Sequence, residues 1–240
     1  MLWMHGMALP VVLYPAALIT AFSGLLIPTL TEADAADQPL RVRYVIARVW
    51  SLSLAFAIGV AGISICFSGE LGAVLFPNTN AGHYIRLLAP LIPIMYIDTA
   101  TDAMMKGLGE QVFCMNFNLA DSLISLLLVI LLIPRYGIWG YLFATYFSEL
   151  FNTTLSVWRL LRIKGIAVRL LKWVYKPLLS VVGATLMIRL IAGRVPVTGG
   201  GVLALLCLLT LGIYLLLLRL TGSIDKEDVR WIASLFSKNK

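Results

Sequence analysis

The 240-residue chain is 60% hydrophobic and 13% charged, with mean hydropathy +0.91, about half the charge content of an ordinary soluble domain, which marks an integral membrane protein. A net charge of +7 would suggest a nucleic-acid partner in a soluble protein, but here Lys and Arg cluster beside apolar runs, so the basicity reports orientation and no nucleic-acid partner is expected. The cysteines lie in separate apolar runs and the only histidines are His5 and His83, which leaves no disulfide, metal or His acid–base motif; neither a metal, a cofactor nor an enzyme is expected.

A spanning helix needs about 20 mostly apolar residues. Seven segments qualify, at roughly 6–30, 48–68, 85–105, 112–133, 137–158, 176–193 and 201–219, the sixth shortened by Arg189. Loops with break signals separate them at 32–43, 68–83, 106–111, 134–137 and 194–201. If alternate loops face the cytoplasm, fifteen of the 19 Lys and Arg fall there, and only Arg86, Arg135, Arg189 and Arg194 lie outside. That asymmetry puts the C-terminus in the cytoplasm and, with an odd number of spans, the N-terminus outside. An outside N-terminus that opens directly on a span with Pro10, Pro15 and Pro28 is expected of the later part of a longer protein.

The third predicted span carries Pro90 and Pro93, which remove backbone hydrogen bonds and favour a kink, serving either a gate or packing alone. Below them stand Asp98 and Asp102. At 1.5 Å per residue, Asp98 lies roughly 20 Å and Asp102 roughly 26 Å below the outer entry of this span. Asp102 and Lys106, at i and i+4 in the favourable order, read as an ion pair at the inner interface. Gly107 and Gly109 read as turn glycines after this span. Tyr96 lies deep enough to stack on a substrate.

Asp121 in the fourth span and Glu149 in the fifth fall at the same level, roughly 14 Å from the inner end and 18 Å from the outer end of their helices, with Asn118 and Asn152 within a turn. A carboxylate at that depth costs on the order of 2.5–3.5 kcal/mol, so the three acids are expected to face one another or a wet cavity. A proton or sodium ion held among Asp98, Asp121 and Glu149 would offset that cost and could couple to transport. The structural alternative is that they only join helices through hydrogen bonds with Asn116, Asn118, Asn152 and Thr153.

Two amphipathic stretches follow. Between 159 and 176, Arg159, Arg162, Lys164, Arg169, Lys172 and Lys176 alternate with apolar residues, which suits either an interfacial segment on an anionic inner leaflet or a connector that fixes topology. After the last span, Ser223 as N-cap and Val229, Ile232, Ala233 and Phe236 on one face predict an interfacial helix.

Three stretches in order, "MALPVVLYPAALITAFSGLLIPTLTEA" (7–33), "LLAPLIPIMYIDTATDAMMKGLGEQ" (87–111) and "LLIPRYGIWGYLFATYFSEL" (131–150), resemble the C-terminal half of stage V sporulation protein B-type polysaccharide-biosynthesis transporters. These belong to the multidrug/oligosaccharidyl-lipid/polysaccharide exporter superfamily. The resemblance implies an all-α membrane protein: a second transporter lobe lacking its first helix (1–158), a basic linker (159–175), two extra helices (176–220) and a cytoplasmic tail (221–240). It implies alternating access of a lipid-linked oligosaccharide or related cell-envelope precursor in the plasma membrane, together with a further lobe or a second copy. The first span has no Lys or Arg, so the arginines that such flippases offer to a pyrophosphate have no counterpart there. The acid-rich interior keeps open a cation-coupled extruder of small amphipathic compounds, and a non-transporting scaffold or fragment is a third reading. For a membrane transferase, only "TEADAAD" (31–37) offers acids near an interface.

Overall fold

In a computed structural model the protein is all-helical over the described residues, 14–76, 80–165, 171–192 and 199–223. The helices are α1 Ala16–Ala35, α2 Pro39–Cys66, α3 Ser68–Leu75, α4 Ala81–Leu88, α5 Ile92–Gly107, α6 Gln111–Tyr136, α7 Ile138–Lys164, α8 Lys176–Ala192 and α9 Gly200–Leu220. A 3-10 turn, Ala89–Leu91, joins α4 to α5, and a π-helical turn, Leu171–Tyr175, opens α8. Among the described residues five helical stretches are long and apolar enough to cross a membrane: α1, α2, α6, Leu171–Ile191 and α9.

The expected third and fifth spans fall outside those five for different reasons. Pro90 sits in the 3-10 turn and Pro93 in the first turn of α5, so 85–105 is two helices around a break, because neither proline supplies the N–H that a continuous helix needs. α7 is 27 residues long, but Thr145, Ser148, Glu149, Asn152, Thr153 and Ser156 recur at helical spacing and lower its apolarity. Its outer surface carries Trp139, 62% exposed, and Trp158, 49% exposed. Those rings are separated by roughly 28 Å of helix, close to the hydrocarbon thickness of about 30 Å.

Two expected loops are helical instead. The segment 32–43 shrinks to a turn at 36–38, because α1 continues through the Glu–Ala-rich stretch to Ala35 and α2 begins at Pro39; Glu and Ala favour the helix, and Pro is accepted at its first position. The segment 68–83 holds α3 and the start of α4. A Cβ on Gly72 would come 2.3 Å from the backbone N of Gly82, so two short helices pack backbone to backbone where larger residues would hold them apart. Of the basic stretch, 159–164 are the last turns of α7 and 171–175 lead into α8, while 166–170 lie outside the described residues, as do the start of the first expected span and the predicted tail helix beyond Ser223.

The helices group into two compact units, one of residues 17–50 with 94–165 and the other of 51–76 and 80–93 with 171–192 and 199–223. In the first, one end is closed by long-range contacts. The Thr31 hydroxyl donates to the Gly107 carbonyl (2.7 Å), Arg43 donates to the Lys164 carbonyl (2.6 Å), Lys164 pairs with Asp34, and Arg159 pairs with Glu110 (2.9 Å). The ends of α1, α5 and α7 and the starts of α2 and α6 therefore meet, and these are the ends that the Lys and Arg distribution assigns to one side. Gly109, at φ 78°, and Gly165, at φ 58°, turn the chain in the left-handed conformation there.

In the second unit, α8 and α9 pack on the latter half of α2. Ala55, Ile58, Val181, Ala184, Tyr214 and Leu218 form one buried cluster, and Gly59 leaves the notch that Tyr214 fills while its hydroxyl donates to the Ala55 carbonyl (2.6 Å). A second cluster joins Phe67 to Ile188, Leu203 and Leu206. Lys176 donates to the Thr221 carbonyl (2.7 Å) where α8 starts and α9 ends, and Arg189 pairs with Glu70 (2.9 Å) near the end of α8.

A Cβ on Gly62 would stand 2.2 Å from Cγ2 of Val181, a branched side chain with no free end to swing away. Gly62→Val is expected to lower stability by about 1–3 kcal/mol in thermal unfolding from detergent, whereas Gly24→Ala, with nothing within 4 Å, should be neutral or better. In the first unit, cysteines placed at Lys106 and Arg162 should react with an impermeant thiol reagent from the same side of sealed vesicles, and one at the exposed Tyr136 from the other.

Candidate functional site

The polar residues of the first unit converge because of helical spacing on three elements. Asp98 and Asp102 lie one turn apart on α5, Asn118 and Asp121 nearly a turn apart on α6, and Ser148, Glu149 and Asn152 within a turn on α7. α5 is fixed from another direction by Thr101, which is fully buried and accepts the indole N–H of Trp50 at 3.0 Å. α6 shows why the arrangement matters: none of its most apolar stretch is buried, so its Asn118 and Asp121 have only α5 and α7 to turn to.

The hydrogen bonds form a single string. Asn152 Nδ2 donates to Asp98 Oδ2 (3.0 Å) and to Asn118 Oδ1 (3.2 Å), and Asn118 Nδ2 donates to Asp102 Oδ2 (3.0 Å). Beside it, Ser148 Oγ donates to Asp121 Oδ1 (2.6 Å). The amide orientation of Asn152 follows from its surroundings: its Nδ2 meets two oxygens, and turning the amide over would set an oxygen against both. Asp102, Glu149 and Asp121 all act electrostatically on Asp98, and Asp121 acts on Glu149, so the acids form one charged neighbourhood.

That string is short of donors. Five buried side-chain N or O atoms lack a partner among the described residues, and three of them are its acceptor oxygens: Oδ1 of Asp98, Oδ1 of Asp102 and Oδ1 of Asn152. An acceptor buried without a partner costs about 1–3 kcal/mol. Protonation of a carboxyl oxygen turns an acceptor into a donor, so bound protons would remove the deficit from within. Among the described residues no three His, Cys, Asp or Glu side chains converge on a point that could hold a metal ion.

Of the residues singled out from the sequence, Asp98, Asn118 and Asn152 are joined directly, and Asp121 and Glu149 lie alongside. Asp102 differs from expectation. Its partner is Asn118, and the ion pairs of the described residues join Arg159 to Glu110, Lys164 to Asp34 and Arg189 to Glu70, not Asp102 to Lys106. The carboxylate turns inward to a neighbouring helix while Lys106 remains exposed. Tyr96 is fully buried, so its ring presents no face to a ligand. Asn116 is exposed and Thr153 donates to the Ile94 carbonyl (3.4 Å), so neither joins the string. Ser148 was missed, although Thr145, Ser148, Asn152 and Ser156 recur every three or four residues along α7 and mark its inner face.

The second unit holds an apolar groove of about 470 Å³ between α2 and α8, reaching Pro90 and Pro93, with Thr185 and Arg189 its main polar side chains. Comparisons with protein-family models, with curated proteins and with solved structures each find no match.

Asn152→Ala removes the donor shared by Asp98 and Asn118, and is expected to lower stability by about 1–2 kcal/mol, the upper range for a hydrogen bond between membrane helices. A double-mutant cycle with Asn118→Ala should show coupling; additive effects would mean that the string is not a unit.

Proposed function

We propose that the protein is a multi-pass transporter of the flippase/exporter type in the plasma membrane, with a cytoplasmic C-terminus and its helices crossing seven times, including the broken α4–α5 segment and α7. The observation that carries this reading is the donor-poor string Asp98–Asn152–Asn118–Asp102, a set of carboxyls and amides held among apolar helices with three oxygens left unpaired. Proton binding there, with sodium as the alternative ion, would alter the hydrogen bonds that hold α5, α6 and α7 together and so link ion occupancy to helix packing. The girdle of Trp139 and Trp158 supports α7 as a spanning helix despite its polar stripe.

For the substrate we propose a lipid-linked oligosaccharide or related cell-envelope precursor, handled with a further lobe or a second copy that completes the alternating-access pathway. The apolar groove between α2 and α8 suits a long hydrocarbon tail. The second reading, an extruder of cationic amphiphiles, is favoured by the acids near Asp98 and by the absence of Lys and Arg from α1.

Full-length protein in proteoliposomes, with an imposed pH gradient, should move either a fluorescent lipid-linked sugar or a cationic dye, and the cargo that moves decides between the two readings. Asp98→Asn should bring transport to background while circular dichroism stays unchanged. Unaltered transport by that variant would remove Asp98 from the mechanism, and failure of the wild type with both cargoes would favour a scaffold.

A further inference from the structure

Away from the acid–amide string, the closed end of the first unit presents two arginines held against aromatic rings. Cζ of Arg48 lies 4.9 Å from the ring centroid of Tyr44, one turn back along α2, and its Nη1 donates to the Tyr44 hydroxyl. Cζ of Arg162 lies 5.3 Å from the Trp158 ring, one turn back along α7. Both rings stand on the outside of the helices, 48% and 49% exposed. Counted from Pro39 and from Lys164, Tyr44 and Trp158 lie roughly 8 and 9 Å from their helix ends, and the Arg43 bond to the Lys164 carbonyl joins those ends.

Half-exposed rings at that distance from a helix end are placed for the headgroup region of a bilayer. An arginine that starts deeper reaches back toward water along its own helix, as Arg48 does, because side chains lean toward the helix N-terminus. The guanidinium is planar, weakly hydrated and forked, and its geometry matches two oxygens of one phosphate. We infer that Tyr44–Arg48 and Trp158–Arg162 are docking points for the phosphate of anionic phospholipids in the leaflet at this end, with acyl chains lying along the exposed Phe147 and Leu150 of α7. The site is independent of the transport reading and would exist in a scaffold as well.

Wild-type protein in nanodiscs of phosphatidylcholine mixed with phosphatidylglycerol should retain phosphatidylglycerol in excess of its bulk fraction when the bound lipids are read by mass spectrometry. Arg48→Gln and Arg162→Gln should each lower that excess by up to roughly fivefold, the weight of one cation near an anionic surface, and Trp158→Leu should lower it although the charge remains. Arg41→Gln, at an exposed residue whose side chain bonds to Gln38 among the described residues, should leave it unchanged. If the glutamine variants do not fold, the pair Arg48→Lys/Arg162→Lys keeps the charge and should still lower the excess. The inference is overturned by full retention in both glutamine variants or in the lysine pair, by an equal loss in Arg41→Gln, which would mean general basicity only, or by a wild type without preference.

Discussion

Polar atoms in hydrocarbon must find partners within the protein, and in this chain the supply is uneven. Two carboxylates and two amides on α5, α6 and α7 close a string of three hydrogen bonds, yet the carboxylates bring no donor and the amides bring too few. The consequence is a contradiction built into the packing: the same contacts that bind three helices together leave Oδ1 of Asp98, Asp102 and Asn152 without a hydrogen-bond partner among the described residues. A purely structural network has little reason to stay in that condition, since apolar replacements would pack without it. In the proposed reading a bound proton, the smallest cation, would resolve it.

The rest of the first unit bears on how that string is held. Trp50 fixes Thr101 from α2, Thr31 fixes the last carbonyl of α5 from α1, and the Arg159–Glu110 pair fixes the start of α6 to α7. Each contact is ordinary in size. Their joint effect is that α5 is constrained on sides other than the one that faces the acids, while α6 has no buried residue in its most apolar stretch.

Much of the helical frame could be read directly from the residues. α6, α7 and α9 begin and end within a few residues of their expected limits, apart from the basic extension of α7, because hydropathy and glycines at 109, 137 and 199 act within a turn of where they stand. Contacts through space were not legible. α3 and α4 depend on Gly72 meeting Gly82 ten residues away, and no local pattern announces that. Asp102 shows the same limit at the site: the rule of i and i+4 pointed to Lys106, while the partner that won, Asn118, lies across a turn on another helix. Asp98, Asp121, Glu149, Asn118 and Asn152 could be placed at one depth by counting residues, but the bond order among them depends on how the three helices are set against one another, which residue counting does not give.

The tryptophans of α7 carry a consequence for where in a cell such a chain is at ease. Trp139 and Trp158 bracket roughly 28 Å of helix, and an indole ring resists being drawn either into acyl chains or out into water. A bilayer rich in sterols or long saturated lipids would be too thick for this ruler and a short-chain bilayer too thin, so α7 would have to tilt or straighten to keep both rings at the boundary. In the proposed arrangement, with α7 crossing the bilayer, Ser148, Glu149 and Asn152 ride on the same rod, so lipid length would become a mechanical input to the acids themselves.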